Sequence, residues 1–468
     1  MIIRLKYILA LLLALGILAG CAKDGLTDNK VIPDNGVVPD EDDDDEDDDD
    51  DDDATDEPEE EDPTPRVREG QMPEIRIQVN SRDFQNLCQR SKDVYIDGSI
   101  EFLDPNGWYS DSTALSVSLQ MKGRGNTSWG NEKKPFRLKL GEKHRVFGMK
   151  ANRDWALIAN YNDKSLLRNT LGYKVSKICG MSWTPKTRAC ELYINGDYSG
   201  SYLLAQHKEV AGEKVDIDTS TDYYLEVETA DFEANYGERI MPIGCPIQFK
   251  DPKWPELDAT RQQYIKSYLR EWSQAVYDHD FQKAFTLMDT ASFVNYFIIE
   301  ELAKNIDGNF RKSTFLTKQE NKKLVVYHIW DFDIAFGNCN YMHSEFLPDS
   351  RGIYGHDPTG WYVKVVDERK KSSGLYQHLF QDPGFVAAVK AKWEEVYPQL
   401  AELPEWIEEE ARINRASYDK NFERWRILGK YIWPNPNPIP SDYDGELAFL
   451  KDFLSSRLEW MNSQISQW

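Results

Sequence analysis

One segment of this 468-residue chain cannot join a globular core: residues 40–62 carry 20 acidic side chains and no basic one. Like charges at this density repel one another, and no large apolar side chain is present to offset the entropy lost on ordering the backbone. We therefore predict a disordered acidic linker over residues 22–72. Its stretch of some 45 residues would reach on the order of 150 Å if fully extended. Loose calcium binding is the alternative, although no glycine interrupts the acidic run to let it wrap a cation.

The acidity of the chain is concentrated in this first part. The formal net charge is -24, from 80 acidic and 56 basic side chains. Without the 23 acidic and four basic side chains of residues 1–62, the rest of the chain holds 57 acidic and 52 basic ones. The remaining domain is thus nearly neutral. Because it has no clustered positive excess to neutralise phosphates, the composition argues against a nucleic-acid-binding protein.

Residues 1–21 have the composition of a bacterial lipoprotein signal. Arg4 and Lys6 precede an apolar stretch over residues 7–20, which is shorter than the roughly 20 residues that a bilayer span needs. Small residues stand directly before Cys21, as in a lipobox whose cysteine is acylated. We predict an envelope protein held at Cys21 by a lipid anchor, preferably at the outer membrane or cell surface. The alternative is an ordinary signal peptide in which the cysteine is incidental.

Neither cysteine nor histidine spacing indicates a metal site. Five cysteines follow Cys21, so at least one is unpaired, and none lies in a CxxC motif. The seven histidines show no HxxxH or HExxH spacing. Export would permit a disulfide, but the spacings do not identify one.

The domain that we predict over residues 73–468 begins with strand patterns. Polar and apolar side chains alternate in residues 74–79, 115–121 and 135–140. An Asn-Gly turn at residues 195–196 predicts a hairpin, and one helix is predicted over residues 164–178.

From about residue 259 onward, the apolar spacing becomes helical, apart from one predicted hairpin over residues 313–330. Helical faces recur in residues 265–272, 293–302, 385–396 and 447–461. A strand-rich first half and a helix-rich second half, without regular βαβ alternation, predict an α+β domain with two lobes.

A glycine-rich turn followed by a cationic strand is the first segment that could form a binding site. Arg124 stands between two glycines, where backbone N–H groups can approach an anion closely. Lys134, Arg137 and Lys139 follow at the next predicted strand, so the region suits phosphate. The alternative is an ordinary solvated strand face.

Two further segments carry acidic residues. Asp307 directly follows an apolar helix, where it would either serve chemistry or simply turn the chain. Asp331 and Asp333 end a strand among aromatic and apolar neighbours, and burying two carboxylates there requires a compensating partner. Magnesium is one such partner, because it prefers oxygen ligands and in turn holds phosphates. Backbone N–H groups or an arginine are the alternative.

Together these segments resemble the CotH kinase family, the spore-coat-type kinases whose fold is similar to that of protein kinases. The resemblance covers about residues 73–465. It rests on ordered blocks at residues 122–129, 133–140, 152–157, 163–169, 192–202, 307–308 and 330–333.

This resemblance implies phosphoryl transfer from ATP, with Mg²⁺, to a hydroxyl group, for which an envelope protein is the expected acceptor. It implies that Asp307 orients that hydroxyl and accepts its proton, as the catalytic-loop aspartate of kinases does. Asp331 would hold the metal ion, assisted by Asp333. The candidate phosphate contacts are Arg124, Lys134, Arg137 and Lys139, among which the sequence does not choose.

Two positions depart from the family pattern. Lys312 stands where members commonly carry an asparagine that binds a second metal ion. An ammonium group would contact a phosphate directly instead, or else mark a member of reduced activity. Gln206 stands where a glutamate usually occurs, which removes a charge from any ion pair with a phosphate-binding lysine.

The alternative function is that of a non-catalytic surface lipoprotein, which uses the same fold for adhesion or for binding a glycan or nucleotide. The 14 tryptophans and 24 tyrosines support it, since aromatic faces stack on sugars, although core packing accounts for most of them. The candidate exposed patches are residues 361–362 and 431–436. Kinase chemistry instead predicts that Asp307, Asp331 and the cations Arg124 and Lys139 converge on one cleft.

Overall fold

The computed structural model describes residues 68, 70–109, 114–228, 237–341, 355–363 and 374–468. The predicted lipoprotein signal with Cys21 and the acidic part of the predicted linker lie outside the described residues. Contacts with the domain begin before residue 73. The guanidinium of Arg68 pairs with Glu410 at 2.5 Å, and the side chain of Met72 is buried.

Seven strands from the first half of the chain close into a barrel, with the spatial order β1-β2-β3-β4-β5-β7-β6. Neighbouring strands are antiparallel except β1 and β6, whose parallel pairing closes the barrel. The strands are β1 (Glu74–Val79), β2 (Ile96–Leu103), β3 (Ala114–Gly123), β4 (Phe136–Val146), β5 (Met149–Ile158), β6 (Thr187–Ile194) and β7 (Asp197–Gln206).

Strand β4 illustrates why this sequence forms a barrel. Phe136, Leu138 and Leu140 point into the barrel core, as their alternation predicts. Arg137 and Lys139 point outward, yet they retain only 7% and 9% of their exposure. The alternative of a solvated strand face is therefore wrong, because other parts of the domain cover this side of the barrel.

A second, five-stranded antiparallel sheet has the order β12-β11-β8-β10-β9. Its strands are β8 (Tyr223–Val227), β9 (Gly237–Ile240), β10 (Cys245–Asp251), β11 (Thr314–Lys318) and β12 (Leu324–Ile329). The predicted hairpin over residues 313–330 forms β11 and β12, and it ends at the Asp331 segment.

Most helices of the described residues lie in the second half of the chain. They are α1 (Ser81–Gln89), α2 (Arg168–Cys179), α3 (Ala259–Tyr277), α4 (Phe281–Leu287), α5 (Thr290–Ala303), α6 (Leu375–Leu379), α7 (Pro383–Leu400), α8 (Leu403–Arg424) and α9 (Tyr443–Ile465). None of them is both long and apolar enough to span a bilayer. Every residue of α5 from Ser292 to Ala303 is buried, and the helix packs against α2, α7, α9 and β12. Helix α5 is therefore the central element of this half.

The α+β class and the division into a strand-rich first half and a helix-rich second half are confirmed. The strands of the first half form a closed barrel, and the division into two kinase-like lobes stays a prediction. Helix α8 packs against β7 of the barrel. There the side-chain oxygen of Asn421 accepts hydrogen bonds from Lys133 Nζ at 2.9 Å and from the backbone N–H of Ser201 at 3.1 Å. The five described cysteines are free thiols.

Candidate active site

Asp307 lies in the turn that follows the central helix α5. The helix ends at Ala303, and the C-cap residue Lys304 has a positive φ of 45° that stops the helix. The side-chain oxygen of Asn305 accepts the N–H of Asp307 at 3.2 Å and stabilises the turn. The carboxylate of Asp307 remains 30% exposed and accepts a hydrogen bond from Arg311 Nη2 at 2.9 Å. A partly exposed carboxylate thus lies on the turn that directly follows a buried helix.

Gly308 is required next to Asp307 because a buried acid lies against it. A Cβ at this position would overlap Oε2 of Glu300. Glu300 is fully buried in α5, and burial raises the pKa of its carboxyl group well above the ordinary value. The glycine therefore allows the turn that carries Asp307 to pass directly over this acid.

Asp331 follows the last strand of the second sheet and adopts a positive φ of 59°, which is uncommon for a residue with a side chain. Its carbonyl accepts a hydrogen bond from Asn305 Nδ2 at 3.1 Å, which ties it to the turn of Asp307. Its carboxylate accepts a hydrogen bond from Ser313 Oγ at 3.4 Å. The Asn305 side chain therefore joins the turn of Asp307 to the backbone of Asp331.

Asp333 lies two residues further along and accepts a hydrogen bond from Asn162 Nδ2 at 2.8 Å. Burial and the nearby charge of Asp331 raise its pKa to about 7. Burial likewise raises the pKa of Asp331, and the charge of Asp307 raises the pKa values of both groups further. The three acids predicted from the sequence thus lie within electrostatic reach of one another.

The donor set of these acids fits a hard divalent cation. Asp331 and Asp333 hold negative charge in a partly desolvated place where it is disfavoured, and a bound cation would compensate it. Carboxylate oxygens are the ligands that Mg²⁺ prefers. Among the described residues, no three acidic, histidine or cysteine side chains are grouped closely enough to hold a metal ion by themselves.

Three cations act electrostatically on Asp331. The charges of Arg124, Lys208 and Lys312 each lower the pKa of its carboxyl group. The guanidinium of Arg124 lies 5.6 Å from the centre of the Trp330 ring. Arg124 and Lys312 were expected from the sequence, whereas Lys208 was missed.

Lys208 is held in place by groups from the second sheet. Its ammonium pairs with Glu226 at 3.4 Å and lies 4.3 Å from the centre of the Phe315 ring. Glu226 also pairs with Lys250 at 3.3 Å. Lys208 stands two residues after β7 in a segment without a motif, so only the tertiary structure reveals that its charge acts on Asp331.

The other predicted phosphate contacts have protein partners. Lys134 Nζ donates to the carbonyl of Trp129 at 2.6 Å. Arg137 forms an ion pair with Asp154 at 3.1 Å. Lys139 is buried on the same outer face of β4 and lies opposite Asp154 in the register of β4 and β5. A phosphate-binding role for these three stays a prediction.

The segment before α2 and the first turn of α2 position the loop that carries Asp331 and Asp333, which we call the acidic loop. The carboxylate of Asp163 accepts hydrogen bonds from the Arg168 N–H at 2.8 Å and from Arg168 Nη1 at 2.6 Å. Arg168 Nε donates to the carbonyl of Phe336 at 3.4 Å, and Asn169 Oδ1 accepts the N–H of Phe332 at 2.9 Å. This network gives a physical role to the block at residues 163–169. The sequence had marked that block without assigning it one.

Gln206, the second departure from the family pattern, is buried at the end of β7. Its side-chain oxygen accepts the backbone N–H of Lys186 at 3.0 Å, so the amide serves a backbone group. The buried ammonium in this region belongs to Lys133, which donates to the carbonyl of Ser201 and to Asn421.

Comparison with known proteins bears on this site. The family model described as CotH kinase protein matches residues 121–461. This span contains Arg124, Lys208 and the three acids. A search of the curated proteins found no match.

Proposed function

The chain belongs to the CotH kinase family, and we propose that it transfers the terminal phosphoryl group of ATP to a hydroxyl group in the bacterial cell envelope. The proposal extends to the fold: the barrel would serve as one lobe of a kinase-like domain, and the helices with the second sheet as the other. The nucleotide would bind between them with Mg²⁺.

The roles follow from the chemistry of phosphoryl transfer, which requires positioning and charge neutralisation more than covalent help. Asp307 is the proton acceptor, because its carboxylate is partly exposed on a rigid turn. Asp331 and Asp333 would hold Mg²⁺, which would neutralise the phosphates when bound. Arg124, Lys208 and Lys312 would contact the phosphate oxygens. Lys208 is added to the candidates from the sequence, among which Lys134, Arg137 and Lys139 stay predictions.

The observation that carries the proposal is the charge pattern around Asp331. Two acids have raised pKa values while three cations act on the same carboxylate. A magnesium–triphosphate complex offers a positive charge to the acids and negative charges to the cations. It would compensate the charges of the acids and of the cations at once, whereas a neutral ligand would compensate neither.

The envelope location rests on the sequence of the first 72 residues. A lipid anchor at Cys21 and an extended acidic linker would hold the kinase domain away from the membrane surface. An envelope protein is the acceptor expected there, and the charge distribution supports no nucleic-acid partner.

Calorimetry on the full-length chain tests the site. We expect Mg-ATP to bind, and Asp331→Ala to weaken the binding at least tenfold. Glu142→Ala, which changes an exposed acid on β4, should leave the affinity unchanged. Absence of Mg-ATP binding, or equal affinity of Asp331→Ala, would contradict the proposed site.

Transfer of labelled phosphate to an envelope extract then tests catalysis. We expect Asp307→Ala to bind Mg-ATP and to transfer no label. If the unchanged chain binds Mg-ATP but never transfers phosphate, the non-catalytic alternative replaces the kinase.

A further inference from the structure

An exposed aromatic surface lies beside the acidic loop and has no role in the chemistry described so far. Tyr431 and Trp433 are each 49% exposed, whereas most aromatic side chains of the domain pack into the core. The Tyr341 ring stacks on Trp433 with a centroid distance of 5.8 Å and an interplanar angle of 21°. We call these three side chains the aromatic platform. Of the two candidate patches in the sequence, the other is unsuitable, because Tyr362 is buried.

The aromatic platform is held rigidly by hydrogen bonds. The backbone N–H of Asn340 donates to the carbonyl of Pro434 at 2.9 Å, and Asn340 Nδ2 donates to the Tyr431 hydroxyl at 3.2 Å. Asn435 Nδ2 donates to the carbonyl of Asn162 and to Asn338 Oδ1, both at 2.8 Å. A surface that is already ordered loses little entropy when it binds a ligand.

The same hydrogen bonds place the platform next to the candidate catalytic groups. Asn162 and Asn338, which hold the platform loop, also hold Asp333: Asn162 binds its carboxylate, and Asn338 Nδ2 donates to its carbonyl at 2.7 Å. The charge of Asp307 contributes to raising the pKa of the Tyr341 phenol, so that ring lies within electrostatic reach of the proposed proton acceptor. A molecule resting on the platform would therefore lie next to the segment that carries Asp333.

The chemistry of the platform selects its ligand. Residues 431–440 include two aromatic rings, four prolines and the exposed Asn437, and no charged side chain. Aromatic faces pack against apolar C–H groups, while amides and phenols bind hydroxyl groups at the edge. A sugar ring offers both, with C–H bonds on its faces and hydroxyls around its rim. A charged peptide would find no complementary charge in this loop.

We propose that the aromatic platform binds a neutral envelope glycan and that a sugar hydroxyl, in place of a polypeptide hydroxyl, is the phosphoryl acceptor. This inference rests on the proposed function. The sugar oxygen forms a bond to the terminal phosphorus of ATP, and the bond from that phosphorus to the bridging oxygen breaks. The hydroxyl proton passes to Asp307, and ADP leaves.

The first test measures binding without nucleotide. The full-length chain is titrated with linear neutral hexasaccharides (glucan, mannan, xylan and galactan) and with proline-rich and serine-rich peptides. We expect one hexasaccharide to bind, Trp433→Ala to weaken the binding about tenfold, and Tyr431→Ala to weaken it as well. Tyr264→Ala, which removes a comparably exposed ring on α3, should bind normally. Failure of every hexasaccharide to bind, equal binding by Trp433→Ala, or binding of a peptide through Trp433 overturns the assignment.

The second test separates this inference from the proposed function. The same preparation is titrated with Mg-ATP and then incubated with labelled ATP, the bound hexasaccharide and the serine-rich peptide together. Label in the sugar, absent with Trp433→Ala, supports the acceptor role. Label in the peptide but not in the sugar overturns it while leaving the kinase in place. Failure of Mg-ATP to bind removes the kinase, and with it the acceptor role, whereas the binding titration still decides whether the platform holds sugar.

Discussion

Asn162 donates a 2.8 Å hydrogen bond from its side-chain amide to the carboxylate of Asp333, and its carbonyl accepts the amides of Asn338 and Asn435. One residue from the segment before α2 therefore links the acidic loop to the loop of the aromatic platform. Its amide favours the ionised form of Asp333, which is the form that binds a cation.

Replacing this amide tests its contribution. We expect Asn162→Ala to raise the Mg²⁺ concentration needed for half-maximal ATP binding by about tenfold, because losing one charge-assisted hydrogen bond costs about 1.5 kcal/mol. Calorimetry at several Mg²⁺ concentrations measures the effect. Asn106→Ala, which removes an exposed amide that donates to the Gln71 carbonyl, is the control. An unchanged Mg²⁺ dependence would show that Asn162 does not act through Asp333.

A second prediction concerns Gly172, which packs against the acidic loop. It lies inside α2, where alanine would normally stabilise a helix, but a Cβ there would overlap the ring of Phe332. We expect Gly172→Ala to displace the residue between Asp331 and Asp333. It should lower the free energy of unfolding by about 1–3 kcal/mol and weaken Mg-ATP binding. Gly130→Ala adds a methyl group to open space and should change neither measurement. A stabilised Gly172→Ala protein would refute the steric account.

A third prediction concerns Lys208, the cation that the sequence did not indicate. We expect Lys208→Met to weaken ATP binding about tenfold, since it removes one of three positive charges near Asp331. Lys250→Met is the matched control, because Lys250 pairs with the same Glu226 at 3.3 Å. Calorimetry with Mg-ATP on both variants decides the point. Equal losses in the two variants would assign the effect to Glu226 and not to a phosphate contact.

Lys133 predicts a pH dependence of stability. Burial lowers the pKa of its ammonium group from the ordinary 10.5 to about 7. Between these values the unfolded chain binds more protons than the folded chain, so this group makes the folded state more stable as the pH rises from 7 towards 10. The contribution is about 1 kcal/mol per pH unit.

Urea unfolding at pH 7.5, 8.5 and 9.5 measures this slope. We expect Lys133→Met to lack the increase that the unchanged chain shows, whatever its absolute stability. Lys143→Met, which changes an exposed lysine on β4, should keep the increase. Parallel pH profiles of the unchanged chain and Lys133→Met would mean that the buried amine keeps its ordinary proton affinity.

The ion pair of Glu301 and Arg457 carries a prediction about the helical half. Both side chains are fully buried, and their charged atoms are 2.8 Å apart. Arg457→Met would leave a buried carboxylate without its partner, which lowers the free energy of unfolding by about 3–5 kcal/mol. The double variant with Glu301→Met should recover part of this loss. Arg412→Met breaks the exposed pair with Glu409 and should cost less than about 1 kcal/mol. Urea unfolding measures these changes, and equal losses of unfolding free energy in Arg457→Met and Arg412→Met would contradict the prediction.

Patterns local to the chain predicted part of the secondary structure. Alternation in residues 74–79 and the Asn-Gly turn at residues 195–196 correctly predicted β1 and the β6–β7 hairpin, since side-chain period and turn chemistry depend on neighbouring residues only. The helix predicted from residue 164 begins instead at Arg168. Asp163 binds the N–H groups of Ser165 and Arg168 and holds the preceding residues in a turn.

The site was only partly accessible to sequence reasoning. Asp307, Asp331 and Asp333 stood out because acids next to buried segments require a partner, and the fold brings their charges together. Among the cations, the charges of Arg124 and Lys312 act on Asp331, while Lys134 contacts Trp129 and Arg137 pairs with Asp154. Alternation along β4 identified the side opposite the barrel core, but not what covers it.

The sequence alone therefore determined the family and the α+β class, because these depend on residue order and local periodicity. The tertiary structure decided three things. It closed the barrel by pairing β1 with β6, placed Lys208 within electrostatic reach of Asp331, and attached the platform loop to Asn162. Each of these joins residues that are more than a hundred positions apart. Such pairings arise from the packing of whole sheets and helices, which no short stretch of sequence encodes.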